Sequence, residues 1–138
     1  MTPEQQTVRK QWVAALRSGK YKQGTHVLCH TDPETKEKSY CCLGVLCELY
    51  AEKHTLEKGE ACPMTLEDRV LSPTAYGNDE DYQFLPICVR VWAGLYNDNG
   101  GVNMNFSLKL PLAWLNDHCK KTFNELADII ESDDSYFV

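Results

Sequence analysis

YCCLGVLCELYAEK, residues 40–53, is the stretch on which the architecture turns. A helix drawn through residues 43–53 carries apolar side chains on nearly every side, whereas a surface helix shows a single apolar stripe. The sequence therefore predicts a buried central helix that other elements must cover. Gly44, inside it, would let a neighbouring backbone come close, because it has no Cβ. The apolar run over residues 40–50 is broken by Glu48. It falls well short of the roughly 20 residues that a membrane-spanning helix needs.

Working outward, residues 26–30 alternate weakly, 31–38 are turn-like with Asp32-Pro33, and 39–42 can return as a second strand, which predicts a hairpin. Upstream, Thr2 and Gln5 have capping-box spacing with Pro3 at the first helical position. Val8, Trp12, Ala15 and Leu16 then form one apolar stripe, and Gly19 is placed to end the helix. Downstream, residues 55–84 carry Gly59, Pro63, Pro73, Gly77 and an acidic run, and read as a long, mobile surface excursion with at most short elements. Pro86 opens a helix with Leu85, Val89 and Trp92 on one side and Gly94 as its stop. NDNGG, residues 97–101, is a turn signal, and residues 102–110 alternate loosely enough for a short strand. Two helices follow. Leu112, Ala113 and Leu115 face the core in the first, and a Thr122/Glu125 capping box starts the second, with Phe123, Leu126, Ala127 and Ile130 inward. The tail, 132–138, is acidic but ends in three apolar residues, which suits docking on the body or on a partner. The expected fold is α+β and mostly helical: about five helices around a buried central helix, with a small β-hairpin or short antiparallel sheet, in one domain spanning 1–138.

With 138 residues, 43% hydrophobic and 25% charged, the chain is long enough to build one core without metal or disulfide staples. MTPEQQTVRK lacks the apolar stretch of a secretion signal, so a cytoplasmic location is expected. In that compartment the seven cysteines stay reduced, and their Leu, Val and Ile neighbours mark them as core filling. The net charge of −6 is uneven. Residues 1–24 hold Arg9, Lys10, Arg17, Lys20 and Lys22 against Glu4 alone, while 60–81 and the tail are acidic. A chain acidic overall repels phosphate backbones, which argues against broad nucleic-acid binding.

Catalytic and metal chemistry find little to build on. His26, Cys29, His30, Cys41, Cys42, His118 and Cys119 contain no C-x2-C knuckle, and on a strand His26 and His30 would share a face that Cys29 leaves. No metal or other cofactor is expected. Cys41 and Cys42 sit where a helix N-terminus could lower a thiol pKa, yet no histidine is placed beside them as a base. No phosphate loop occurs. Residues 112–131 resemble the first half of a helix-turn-helix, but acidic residues follow where a recognition helix would lie. One cluster suits binding. Arg17, Lys20, Tyr21, Lys22 and Gln23 at the end of the first helix, with Tyr40, combine cations and aromatic rings fit for a planar, anionic, nucleotide-like ligand. The same cations also complement the helix dipole.

WVAALRSGKYKQG (12–24), YCCLGVLCELY (40–50), LPICVRVWAGL (85–95) and LAWLNDHCKKTFNELADIIE (112–131) together resemble a family of small uncharacterised proteins encoded by tailed bacteriophages and prophages. The most specific of its patterns here are W-x-x-A-L-R-S-G-x-Y and Y-C-C-L-G-V-L-C. His118–Cys119–Lys120–Lys121 departs from the glycine-containing turn of the similar proteins. The resemblance brings no catalytic residue with it. It implies a non-catalytic accessory protein of the host-cell cytoplasm, by analogy one that sequesters a small nucleotide-derived signal of host immunity, as a possible homo-oligomer. The alternatives are an inhibitor or adaptor that binds a host protein, and a cysteine- or zinc-dependent enzyme.

Overall fold

A computed structural model describes residues 1–103 and 109–138. Most of the strand expected within 102–110, namely residues 104–108, lies outside the described residues. Five α-helices and three pairs of short antiparallel strands make an α+β fold.

The helix α2 (Cys42–Lys53) is the centre, as its all-round apolarity predicts. Its first six residues, Cys42 to Cys47, are all buried. Polar character returns only in its last turns, where Glu52 and Lys53 reach solvent. Gly44 meets the expected backbone: a Cβ placed there would overlap the carbonyl oxygen of Leu28 and lie 2.7 Å from its carbonyl carbon. Around α2 stand α1 (Pro3–Arg17), α3 (Ile87–Ala93) and α4 (Leu112–Asp117), while α5 (Phe123–Ser132) packs along α1 more extensively than any other two elements pack together.

Both capping boxes form. Thr2 Oγ1 accepts from Gln5 N and Gln5 Oε1 from Thr2 N, and Thr122 and Glu125 do the same at the head of α5. In α1 the buried stripe is Val8, Trp12, Val13 and Leu16, so Val13 takes the place expected of Ala15. In α5 it is Phe123, Leu126, Ala127 and Ile130, as the spacing predicts. Gly94 ends α3 in a left-handed conformation, φ 73°. The tail docks on the body: Tyr136 and Phe137 are buried, Phe137 bridges Leu95, and Val138 N donates to Gly94 O. Arg9 holds it from the other side. Its Nε donates to Ile130 O, Nη1 to Asp134 Oδ1, and its guanidinium lies 4.2 Å from the Phe137 ring centre.

The hairpin pairs β1 (Cys29–Thr31) with β2 (Lys38–Tyr40), in the register Cys29 to Tyr40. Its first strand begins later than expected and excludes His26, whose φ of 71° is left-handed. The excursion is a hairpin within a hairpin. β3 (Lys58–Glu60) pairs with β6 (Thr74–Tyr76), and between them β4 (Met64–Leu66) pairs with β5 (Arg69–Leu71). The inner turn uses Glu67 and Asp68, both at positive φ, as a two-residue hairpin loop requires. Its root is anchored: Thr31 N donates to Ser72 O, Ser72 N to His30 Nδ1, and Leu71, Ala75 and Tyr76 are buried.

Candidate functional site

The residues singled out from sequence separate in space. Arg17 turns to α5, its Nη2 2.6 Å from Asp128 Oδ1 and its Nη1 3.0 Å from Glu131 Oε2, and these hydrogen bonds raise its pKa further. Lys22 pairs with Glu37 at 2.5 Å, and Lys20 lies 3.8 Å from Glu52 and 5.3 Å from the Tyr21 ring centre. Tyr21 and Tyr40 do meet, edge to face with centroids 5.4 Å apart. The Tyr40 hydroxyl donates to Glu48 Oε1, and burial raises its pKa. Gln23 points inward, where its Nε2 donates to Asn116 Oδ1 and to Lys121 O and its Oε1 accepts from Phe123 N, the first residue of α5.

Asn116, only 1% exposed, is the hub of that inner network. Its Oδ1 also accepts from Cys42 N at 3.3 Å, so α4 caps the N-terminus of α2, where Cys41 offers no side-chain cap of its own. Its Nδ2 donates to Gly24 O and to Asp117 Oδ1. Asp117 Oδ1 in turn accepts from His26 N at 2.9 Å, which fixes the left-handed His26 backbone against α4. One connected set of hydrogen bonds thus runs from Gln23 through Asn116 and Asp117 to His26.

On the far side of that network lies a cleft of about 290 Å³, lined by His26, Gln83, Phe84, Asn99, Pro111, Ala113, Trp114, Asp117 and His118. α4 supplies Trp114 and Asp117, and His118 caps its end. The helix is held by the NDNGG turn: Leu112 N donates to Gly100 O and Ala113 N to Asn99 O. His118 lies against Trp114 one turn away, the rings tilted by 32° with centroids 4.0 Å apart, and meets His26 edge-on at 5.2 Å. Trp114 nonetheless stays 49% exposed and Phe84 47%. The Nδ1 of His26 is enclosed and has no hydrogen-bond partner. None of Arg17, Lys20, Tyr21, Lys22, Gln23 and Tyr40 lines this cleft.

Sequence reasoning passed over Trp114, Phe84, Gln83 and Asp117, and met His26 and His118 only as metal ligands or as a base for a cysteine. The usable signal was Trp114 itself, a large ring off the inward face of its helix. Among the described residues no three His, Cys, Asp or Glu side chains come together closely enough to hold a metal ion. Cys29, Cys41, Cys42 and Cys47 are buried, and Cys62, Cys88 and Cys119 are exposed. The helix N-terminus does not activate Cys41 or Cys42. Burial outweighs it, pushing Cys41 up to about 12 and Cys42 well above the ordinary thiol value. No helix of the described residues is long and apolar enough to cross a membrane.

No curated protein and no solved structure matches the chain. Residues 4–134, which include all of α1 but its first residue, the hairpins, every wall of the cleft and α5, match the family described as Domain of unknown function (DUF8296), and the chain belongs to that family.

Proposed function

We propose that the protein is a non-catalytic binding protein that captures a small, planar, nucleotide-derived molecule, and that the cleft between α4 and residues 83–84 receives it. The observation that carries this reading is the pairing of two exposed aromatic rings, Trp114 and Phe84, with the polar side chains of Gln83 and Asp117 in one concavity. Aromatic rings left half-bare offer stacking worth about 1–3 kcal/mol per base. The resemblance to tailed-phage proteins supplies the setting: sequestration of a host immune signal in the host cytoplasm. The cations first suggested for the ligand, Arg17, Lys20 and Lys22, have carboxylate partners within the protein, so this reading takes the cleft rather than that end of α1 as the site.

Calorimetry and tryptophan fluorescence against cyclic nucleotides and ADP-ribose derivatives test the reading. Saturable binding that Trp114→Ala abolishes is the expected result. A folded protein that binds none of them removes the proposal. The exposed side chains Ile87 and Val91, one turn apart on α3 at 65% and 55%, favour a second reading, an adaptor for a host protein. A stoichiometric partner recovered from host lysate, lost in Val91→Glu, would favour it over sequestration.

A further inference from the structure

Resting on the ligand-binding reading above, we propose that the cleft selects its ligand by the edge of an amino-bearing nucleobase and leaves any phosphate outside. Size is the first argument. About 290 Å³ lies at the small end of ligand sites, which run from about 300 to 1,000 Å³, so the cleft holds a base rather than a whole nucleotide.

Charge is the second argument. Among the described residues the lining contains Asp117 and neither Lys nor Arg, so a phosphate placed inside would meet a carboxylate with no fixed cation to offset it. The polar groups present are of the kind that reads a base edge. No hydrogen bond engages the Gln83 amide among the described residues. Both donors to the Asp117 carboxylate, His26 N and Asn116 Nδ2, use Oδ1 and leave Oδ2 to a ligand. Carboxylate and amide oxygens accept hydrogen bonds from exocyclic amino groups, and an amide can bond an adenine edge with two hydrogen bonds. A ring carrying a carbonyl in place of the amino group would set oxygen against oxygen at Asp117. Trp114 and Phe84 supply stacking without regard to which base is present, so the edge groups set the preference.

The test is calorimetry of the intact protein with two nucleoside pairs, adenosine against inosine and cytidine against uridine, together with AMP. At least one amino-bearing nucleoside is expected to bind about fivefold or more tighter than its oxo counterpart, the lower end of what one base-edge contact contributes. AMP is expected within about fivefold of adenosine. Gln83→Leu, which removes no hydrogen bond from the protein, is expected to weaken the preferred nucleoside by about fivefold or more with its melting temperature unchanged. If AMP is more than fivefold tighter than adenosine, if neither pair is discriminated, or if Gln83→Leu keeps full affinity, edge recognition is wrong while small-ligand binding stands. If no nucleoside or nucleotide binds, both fall.

Discussion

Replacing Asn116 with alanine should destabilise the protein more than any other single polar deletion. The side chain makes four hydrogen bonds: from Gln23 Nε2 at 2.9 Å, from Cys42 N at 3.3 Å, to Gly24 O at 2.9 Å and to Asp117 Oδ1 at 2.8 Å. At about 0.5–1.5 kcal/mol net for each, the loss is about 2–6 kcal/mol. The Cys42 N–H then sits without a partner in a fully buried position, which places the estimate in the middle of that range, at about 3–5 kcal/mol. A domain of this size has about 5–15 kcal/mol in all, so the variant should still fold. Equilibrium urea unfolding is the assay. With a slope of about 2 kcal/mol/M, unchanged between the proteins, the midpoint should fall by about 2 M. Gln23→Ala combined with Asn116→Ala should show a coupling of about 0.5–3 kcal/mol, since both belong to one network. A loss under about 1 kcal/mol at equal slope would refute the claim that this amide joins the start of α2 to α4.

Gly44→Ala should cost about 3 kcal/mol or more, because the added methyl meets Leu28 backbone rather than a movable side chain, and urea unfolding reads it directly. A Gly44→Ala midpoint equal to wild type would contradict that packing. Native-state labelling with a thiol reagent should modify Cys62, Cys88 and Cys119 quickly, and Cys29, Cys41, Cys42 and Cys47 only on unfolding. Stability should fall on acidification below about pH 4.5. Glu131, held low by its hydrogen bond from Arg17, and Glu125, held low by the Thr122 backbone N–H, both have folded pKa values beneath the ordinary 4.5. Their contribution is present above that value and is lost as pH drops through the folded one. Asp81 has the opposite sign. Burial first, then Asp79 and Asp98, raise its pKa above 3.8, so its ionisation opposes folding as pH rises. Asp81→Asn should therefore be more stable than wild type at pH 7 and indistinguishable from it at pH 3, by thermal unfolding at each pH.

The helices were legible because their signals are local. A capping box spans four residues, and in α1 and α5 the same few residues that set the start also set the stripe that faces inward. The composition of α2 announced burial before any partner was known. Ala15 and Val13 show the limit: both lie near the inward edge of α1, and the neighbours of α1, rather than its period, bury Val13 more deeply. Strands of three residues carry almost no periodicity, so the nested ladders of the excursion followed from pairings such as Lys58 with Tyr76 that no short window contains. Its inner turn gave no glycine or asparagine to mark it. The cleft was illegible for the same reason. Residues 26, 83–84, 99 and 111–118 come from four stretches, and each looks ordinary alone. Asn116 reads as a surface amide until Gln23, Gly24 and Cys42 are seen to surround it.

The long reach between α1 and α5 has a bearing on how the molecule comes into being. α1 is made before α5, so the face of α1 that α5 covers waits bare while the intervening chain emerges. Contacts so far apart in sequence slow the search for the native state and bind its parts into one cooperative step. The same arrangement works as a latch afterwards, since neither helix can fray at its inner face without baring the other.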